Sequence, residues 1–344
     1  MTQPPDDDLD LEHIRVFLPE DEDEDLDAAE VEDEPKPALD EVTAALLRGE
    51  YPRSTLVGLS DLTAREAGTF KQAWARVDDR VRETVVSELN DLAEERVDYR
   101  FDRALLAMLD DPDAVVRQQA VAGLWEHEDP RFAATLAAIV EGDESEDVRA
   151  EAARGLGRFA EMAELGDLDP ELADRVTAVL LATLSAPAES MHVRARALES
   201  AAVLGGNDTV LDALDDFFEE EDTGFRATAL YAMGRSLQAR FLPTVLNETS
   251  SDDAEIRYEA ARAAGFLGDT EALPVLAELA RDEDAEVRQA AINAMGEIGG
   301  TAAARYLRRL AEDASDTEIE LIEAALEDAS IVSDPLLLED DDTT

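Results

Sequence analysis

The chain has no cysteine, which excludes disulfides, thiolate nucleophiles and cysteine-based zinc sites. Lysine occurs only as Lys36 and Lys71, and histidine only as His13, His127 and His192, too few for a histidine-rich metal centre. Aromatic residues make up 5% of the composition. No stretch approaches the ~20 apolar residues that span a bilayer, so no membrane insertion is expected. The N-terminus MTQPPDDDLD is acidic and lacks the apolar centre of a secretory signal, which points to a cytoplasmic location. No phosphate loop or nucleophile motif occurs. The acidic run from Glu20 to Asp25 lacks the glycine and ligand spacing of a calcium loop, so no cofactor is expected. A basic stripe is missing as well, since the Arg308 and Arg309 pair is too small to release many phosphate counterions, and nucleic acid is excluded as a partner.

What the chain has in abundance is negative charge. It carries 84 Asp and Glu against 30 Lys and Arg, a net of -54 over 344 residues. The first 40 residues hold 17 of these acids against Arg15 and Lys36, and the acidity continues through the remainder. Abundant carboxylate with arginine in place of lysine resembles the composition of proteins from salt-in halophiles. Self-repulsion at this density opposes compaction in dilute buffer, and salt screens it, so the protein is expected to require salt.

The second abundant feature is a repeat. DPDAVVR, SEDVR, HVR, GFR, DAEIR, DAEVR and DTEIE recur along the chain. Aligning the basic residue gives Arg82, Arg117, Arg149, Arg194, Arg226, Arg257 and Arg288, with Glu320 in the last copy. Four residues earlier stand Asp78, Asp113, Ser145, Ser190, Asp222, Asp253, Asp284 and Asp316, all helix N-cap types. From the apolar residue just before each arginine, positions at plus 4, plus 7 and plus 11 trace a helical stripe, as in Ile256, Ala260, Ala263 and Leu267. Gly205, Gly268 and Gly299 then stop the first helix as left-handed caps. A second helix follows, with Pro243 and Pro274 in its first turn. A period near 31 residues built from helix, turn and helix means stacked units that bury apolar faces only against neighbours. The predicted fold is all-α: a right-handed α-solenoid of about eight helix pairs with a helical N-terminal cap.

These features resemble HEAT repeats of the short, phycobilisome-lyase-like kind, in which a D-x-x-V-R start opens a helix with an alanine-rich stripe. The resemblance covers roughly residues 78 to 330. It implies a scaffold or adaptor that holds protein partners, since such proteins include adaptors, subunits of larger machines, chromophore lyases and an iron hydroxylase. That hydroxylase uses several His-Glu pairs on successive repeats; only His127-Glu128 matches here, so no metal site, no catalytic residue and no enzyme activity are expected. Among halophilic archaea, similar acidic HEAT-repeat proteins include a taxis component linking the chemotaxis response regulator to the motor switch. The alternatives are an assembly-chaperone or lyase-like subunit of a larger complex and, last, a metal-dependent enzyme.

The arginine column (Arg82, Arg117, Arg149, Arg194, Arg226, Arg257 and Arg288) reads as an internal ladder between units, with the cap aspartates supplying carboxylates. Glu320 fits a last unit with no neighbour to bridge. His127 falls on the apolar stripe and reads as a partly buried structural histidine.

Partner proteins are expected on a concave face lined by second helices, with Phe217, Phe218, Phe241 and Leu242 as candidate contacts. Asp215 to Asp222, DDFFEEED, reads as a solvated face or an acidic binding patch. Residues 1–38 form an acidic tail whose apolar island includes Ile14 and Phe17, further candidate contacts. Residues 39–77 form the cap, where Ser60 is the expected N-cap and Phe70 and Trp74 point inward; 78–333 form the solenoid, and 334–344 an acidic C-terminal tail. The repeat between Arg149 and Arg194 is 45 residues long, an insertion expected in a loop. The protein is expected to be monomeric alone.

Overall fold

A computed structural model describes residues 36–127, 129–312 and 314–331; Ile14, Phe17, Glu128 and the C-terminal tail lie outside the described residues. The described residues are helical and contain no strand. The cap consists of α1 (Leu39–Arg48), a 3₁₀ turn (Arg53–Leu59) and α2 (Ala64–Trp74). Thr63, not Ser60, caps α2, because Thr63 and Glu66 close a reciprocal capping box: Thr63 Oγ1 accepts from the Glu66 N–H at 3.2 Å and Glu66 Oε2 accepts from the Thr63 N–H at 2.8 Å. Phe70 and Trp74 are buried, with ring centroids 5.4 Å apart.

The repeats begin with α3 (Asp79–Glu95) and α4 (Asp102–Met108), then α5 (Ala114–Ala122) and α6 (Phe132–Gly142). The expanded unit comprises α7 (Glu146–Gly155), α8 (Gly157–Leu165) and α9 (Pro170–Leu184). There follow α10 (Met191–Ala201) with α11 (Asp208–Phe218), α12 (Thr223–Arg235) with α13 (Leu242–Glu248), α14 (Ala254–Leu267) with α15 (Leu273–Leu279), α16 (Ala285–Ile298) with α17 (Gly300–Ala311), and α18 (Asp316–Ile331). Seven helix pairs and an eighth first helix are thus stacked among the described residues. The side chains of Asp78, Asp113, Ser190, Asp222, Asp253 and Asp284 each accept a hydrogen bond from the first turn they cap.

The first helices, α3, α5, α7, α10, α12, α14, α16 and α18, pack directly on one another in that order. Small residues make this approach feasible. A Cβ added at Gly234 would lie 2.6 Å from Ala263 Cα, and one at Gly265 would lie 2.9 Å from Ala294 Cα. The backbones of α12, α14 and α16 therefore touch, and any larger residue at these glycines would push them apart. The second helices cover the other side of this row, with Leu136, Leu180, Leu214, Val245, Leu276 and Leu307 buried beneath it.

Three expectations are corrected. The 45-residue unit lengthens helices rather than a loop: after a single interruption at Leu156 the first helix continues as α8, and α9 runs for 15 residues from Pro170. Gly205 is not a left-handed cap, having φ -54°; a Cβ there would meet the Ser236 carbonyl at 2.3 Å, so close packing is what requires glycine. Gly268 is a left-handed cap, with φ 68° and ψ 11°, whereas Gly299 has positive φ (69°) but ψ -170°, an extended conformation that only glycine readily adopts rather than a left-handed cap. In the last copy the helix is anchored at Ser315, whose Oγ and N–H both donate to Glu318 at 2.7 and 3.0 Å, while the Ile319 N–H donates to the Ser315 carbonyl. The equivalent of Arg288 is therefore Ile319, not Glu320, and buried Ile322, Ala325 and Ala329 continue the stripe in phase.

Candidate functional site

An arginine in the first turn of a helix points its side chain back toward the N-terminus, over the preceding loop. Arg117 donates through Nη1 to the Asp111 carbonyl at 2.7 Å, and its Nε and Nη2 grip the Asp143 carboxylate at 2.8 Å each. Arg149 donates to the Asp143 carbonyl at 2.8 Å and grips Glu189 at 2.9 and 2.8 Å. Arg257 donates to the Ser251 carbonyl at 2.9 Å and grips Asp282 at 2.8 Å twice. Arg288 donates to the Asp282 carbonyl at 2.9 Å and reaches Glu318 at 3.3 Å. Arg226 reaches Glu248 at 3.0 Å. Arg82 lies 3.0 Å from Asp111, whose Oδ2 also accepts from the Trp74 indole N–H at 2.7 Å, tying the cap to the first repeats.

Contrary to expectation, the partner carboxylates are not the cap aspartates but residues upstream of the caps, except Glu318, which follows Ser315 in the last copy. Asp111, Asp143 and Asp282 each stand two residues before a cap, where Oδ1 accepts the cap residue's own N–H at 2.9 Å while the carboxylate faces the arginine of the preceding unit, Asp143 and Asp282 with both oxygens. The cap side chains are committed to their own first turns. Charge-assisted bonding from Arg257 holds the Asp282 carboxyl below its usual range, and Arg149 does the same for Glu189. Arg194 is the exception: it has no carboxylate partner among the described residues, donating instead to the Leu184 carbonyl at 3.1 Å and lying 5.6 Å over the Phe217 ring.

Of the candidate partner contacts, Phe217, Phe241 and Leu242 are buried, so they cannot serve as exposed anchors. Phe217 meets Phe225 edge-on at 5.7 Å, between α11 and α12. Phe218 is half-buried beneath Arg226, 5.7 Å from its guanidinium. At DDFFEEED the aromatics face inward, and Asp216, Glu219, Glu220 and Glu221 line a depression of about 360 Å³ beside Arg194. His127 is mostly buried: its Nδ1 lies 2.7 Å from Asp102 Oδ1, and its ring meets Phe132 edge-on at 5.4 Å. Among the described residues no cluster of three or more His, Cys, Asp or Glu could hold a metal ion.

The main groove lies elsewhere. It has a volume of about 700 Å³ and is lined by α7, α8, α10, α12 and α14. All of these are first helices, so the second helices do not line the groove as expected. Its floor includes Ala195, Ser200 and Thr228, and its walls carry Arg154, Arg158, Arg196, Arg235 and Arg262 opposite Glu161, Glu199, Asp222, Glu255 and Glu259. In a chain with net charge -54, this surface is charge-balanced. Most of the arginines are braced: Arg196 bonds Glu199 at 2.8 Å, Arg262 bonds Glu259 at 3.0 Å, and Arg235 pairs with Glu161 across the groove, over the intervening α10. The Arg262 guanidinium stacks among three rings, with Tyr231, Tyr258 and Phe266 centroids at 5.0, 5.5 and 5.8 Å. Burial raises the Glu259 carboxyl above its usual range despite Arg262.

The groove continues past Arg262 into a second hollow of about 340 Å³, lined by Tyr258, Glu286, Gln289, Asn293 and Glu297. Desolvation also raises the Glu297 carboxyl, whose Oε2 lies against Gly265, although the residue as a whole is exposed. None of these groove residues carries a repeat signature in the sequence, because successive copies place different residue types at the same position. Their only available signal was the off-stripe face of the first helices.

The profile of HEAT repeats matches residues 103–183 and 242–327. Similar solved structures include the complex of CpcE and CpcF of phycocyanin lyase from Nostoc, at 19% identity over 66% of this chain and 94% of that one, with a TM-score of 0.45. Human deoxyhypusine hydroxylase in complex with glycerol is 18% identical over 85% of this chain and 96% of its own, with a TM-score of 0.32. A designed armadillo repeat protein in complex with the peptide (KR)4 is 17% identical over 59% of this chain and 99% of its own, with a TM-score of 0.38. Likeness at these identities concerns the fold alone. No protein with a curated description matches the sequence.

Proposed function

We propose that this solenoid of HEAT repeats is a non-catalytic scaffold that holds an extended segment of a protein partner in the groove across α7 to α14. The observation that carries this reading is the groove itself: a channel of about 700 Å³ whose walls are braced arginine, glutamate and tyrosine side chains on rigid helices. Such a surface offers many directional hydrogen-bond donors and acceptors, and much of its charge is tied up in pairs such as Arg196–Glu199, Arg235–Glu161 and Arg262–Glu259. Pre-braced side chains also lose little freedom on binding, which favours recognition of a flexible segment.

The pathway suggested by the resemblance, in which the protein bridges a taxis response regulator and the motor switch, is the specific form of this proposal in a salt-rich cytoplasm. The test is affinity purification in molar KCl of the wild-type protein and of Thr228→Trp, which fills the groove floor. Partners recovered with the wild type and lost with the folded variant support the reading; equal recovery overturns it. Unaltered motor reversal in a deletion strain would remove the taxis pathway.

A further inference from the structure

The two ends of the groove differ in charge. At the α7, α8 and α10 end, the lining holds Arg154, Arg158 and Arg196, with Arg235 reaching in from α12, against Glu161 and Glu199, and His192 at the margin. Arg154 also leans on Glu151, and Arg158 donates to the Trp125 carbonyl at 2.9 Å and stacks 4.5 Å over Phe159, so these cations are fixed rather than roaming. At the α14 and α16 end the balance inverts. Among the described residues lining that end Arg262 is the only cation; it is bonded to Glu259 and stands beside Glu286 and Glu297. Glu297 accepts no hydrogen bond from the described residues while lying against the α14 backbone. The face of Tyr258, next to it, belongs to the ring cluster that already stabilises the Arg262 guanidinium.

A groove that is locally positive at one end of a strongly acidic protein, and acidic with an aromatic face at the other, discriminates by charge order along the bound chain. We infer that the groove binds a protein segment of split charge, with carboxylates against Arg154, Arg158 and Arg196 and an arginine or lysine side chain in the hollow formed by Tyr258, Glu286 and Glu297. This inference rests on the scaffold reading above and specifies its partner. A uniformly basic segment would meet the arginine end unfavourably, and a uniformly acidic one would be repelled by the glutamate end; like-charge juxtaposition is the stronger source of specificity. Five first helices from α7 to α16, at roughly 10 Å apiece, span ~40 Å, which an extended chain covers in about 12 residues.

The probe is a fluorescein-labelled dodecapeptide with six residues of Glu and Ser followed by six of Arg and Ser, made in both sequence orders. An alternating peptide of the same composition and all-acidic and all-basic peptides serve as comparisons, with binding followed by anisotropy in about 0.5 M KCl. One order of the split-charge peptide is expected to bind at least about tenfold more tightly than the alternating peptide, a difference of ~1.4 kcal/mol. Arg196→Glu and Glu297→Lys should each abolish that preference with the helical signal intact, and the double variant should prefer the opposite order. Equal affinity for split and alternating peptides, or tightest binding of the all-basic peptide, would overturn the inference. If Thr228→Trp still loses the native partner in that case, the scaffold reading stands and only the charge order fails.

Discussion

The ladder and the groove use the same residue, arginine paired with a carboxylate, for different ends. In the ladder the pairs repeat in phase and the tightest are nearly buried, with side-chain exposures of 11% and 10% for Arg257 and Asp282. Arg117, Arg149 and Arg257 each join one unit to the next through a carbonyl and a two-pronged carboxylate bond. In the groove the pairs are out of phase with the repeat and more exposed, at 34% for Arg262 against 16% for Glu259, and most lie within a single helix. Position along the helix decides the role. A first-turn arginine is delivered to the loop and the neighbouring unit, whereas one a turn or two later is delivered to the open face. The ladder therefore contributes to stacking, and the groove presents charge to whatever lies in it.

The largest effect should come from breaking the ladder. Arg257→Ala leaves Asp282 buried without its cation, and the loss of one partner of a buried pair costs about 3–5 kcal/mol. Arg262→Ala, in the groove, should cost less than about 1 kcal/mol. Denaturant unfolding in molar KCl measures both, and similar losses would erase the distinction. Arg194→Ala gives an internal comparison within the column, because no carboxylate is stranded; its loss should be closer to the ~1 kcal/mol of one hydrogen bond.

Salt sharpens the contrast at the next level. Screening of the acidic surface should raise the melting temperature between about 0.1 and 2 M KCl by roughly 10 °C, which at ~2–4 °C per kcal/mol corresponds to a few kcal/mol. The cost of Arg257→Ala should persist across this range, because a buried pair is little screened, while that of Arg262→Ala should fade. A melting temperature indifferent to KCl would remove the salt requirement inferred from composition.

How much of this was legible in the sequence follows from the same division. The stacking side recurs, so period, helix starts, alanine stripe and arginine column can all be read by alignment. The arginines' acceptors were harder, because Asp111, Asp143 and Asp282 stand two residues from equally acidic caps and only the back-pointing side-chain direction tells them apart. The last copy was misplaced by one residue since Ser315 and Asp316 are both good cap types, and only the bonds from Ser315 to Glu318 choose between them. Phe217, which stands among acids, and Phe241 and Leu242 look like anchors because large apolar residues are scarce, yet for the same reason the core takes them. The groove leaves no periodic trace at all, since each copy contributes a different polar residue and only the stacking of the first helices brings Arg196, Tyr231 and Arg262 together.

The smallest effect carries opposite signs in the two regions. Arg257 and Arg149 hold Asp282 and Glu189 below the ordinary carboxylate range, so their stabilisation is complete above the unfolded-state pKa and is lost as pH falls through the folded-state value. Glu259 and Glu297 are raised by burial, so their ionised forms weaken the fold above the raised folded-state pKa, and stability returns as pH falls through it toward the unfolded value. Asp282→Asn should therefore destabilise the protein near neutrality and lose its effect in strong acid. Glu259→Gln should be neutral or stabilising by up to about 1 kcal/mol near pH 7, and Glu297→Gln, at an exposed residue, neutral or slightly stabilising, with any gain vanishing as the wild-type carboxyls protonate. Melting curves of the three variants from neutral to acid pH, in molar KCl, check this. A destabilising Glu297→Gln at neutral pH would mean that this carboxylate is bound to a cation in the free protein, and the groove's acidic end would then be a structural pair like those of the ladder rather than a surface left open for a partner's cation.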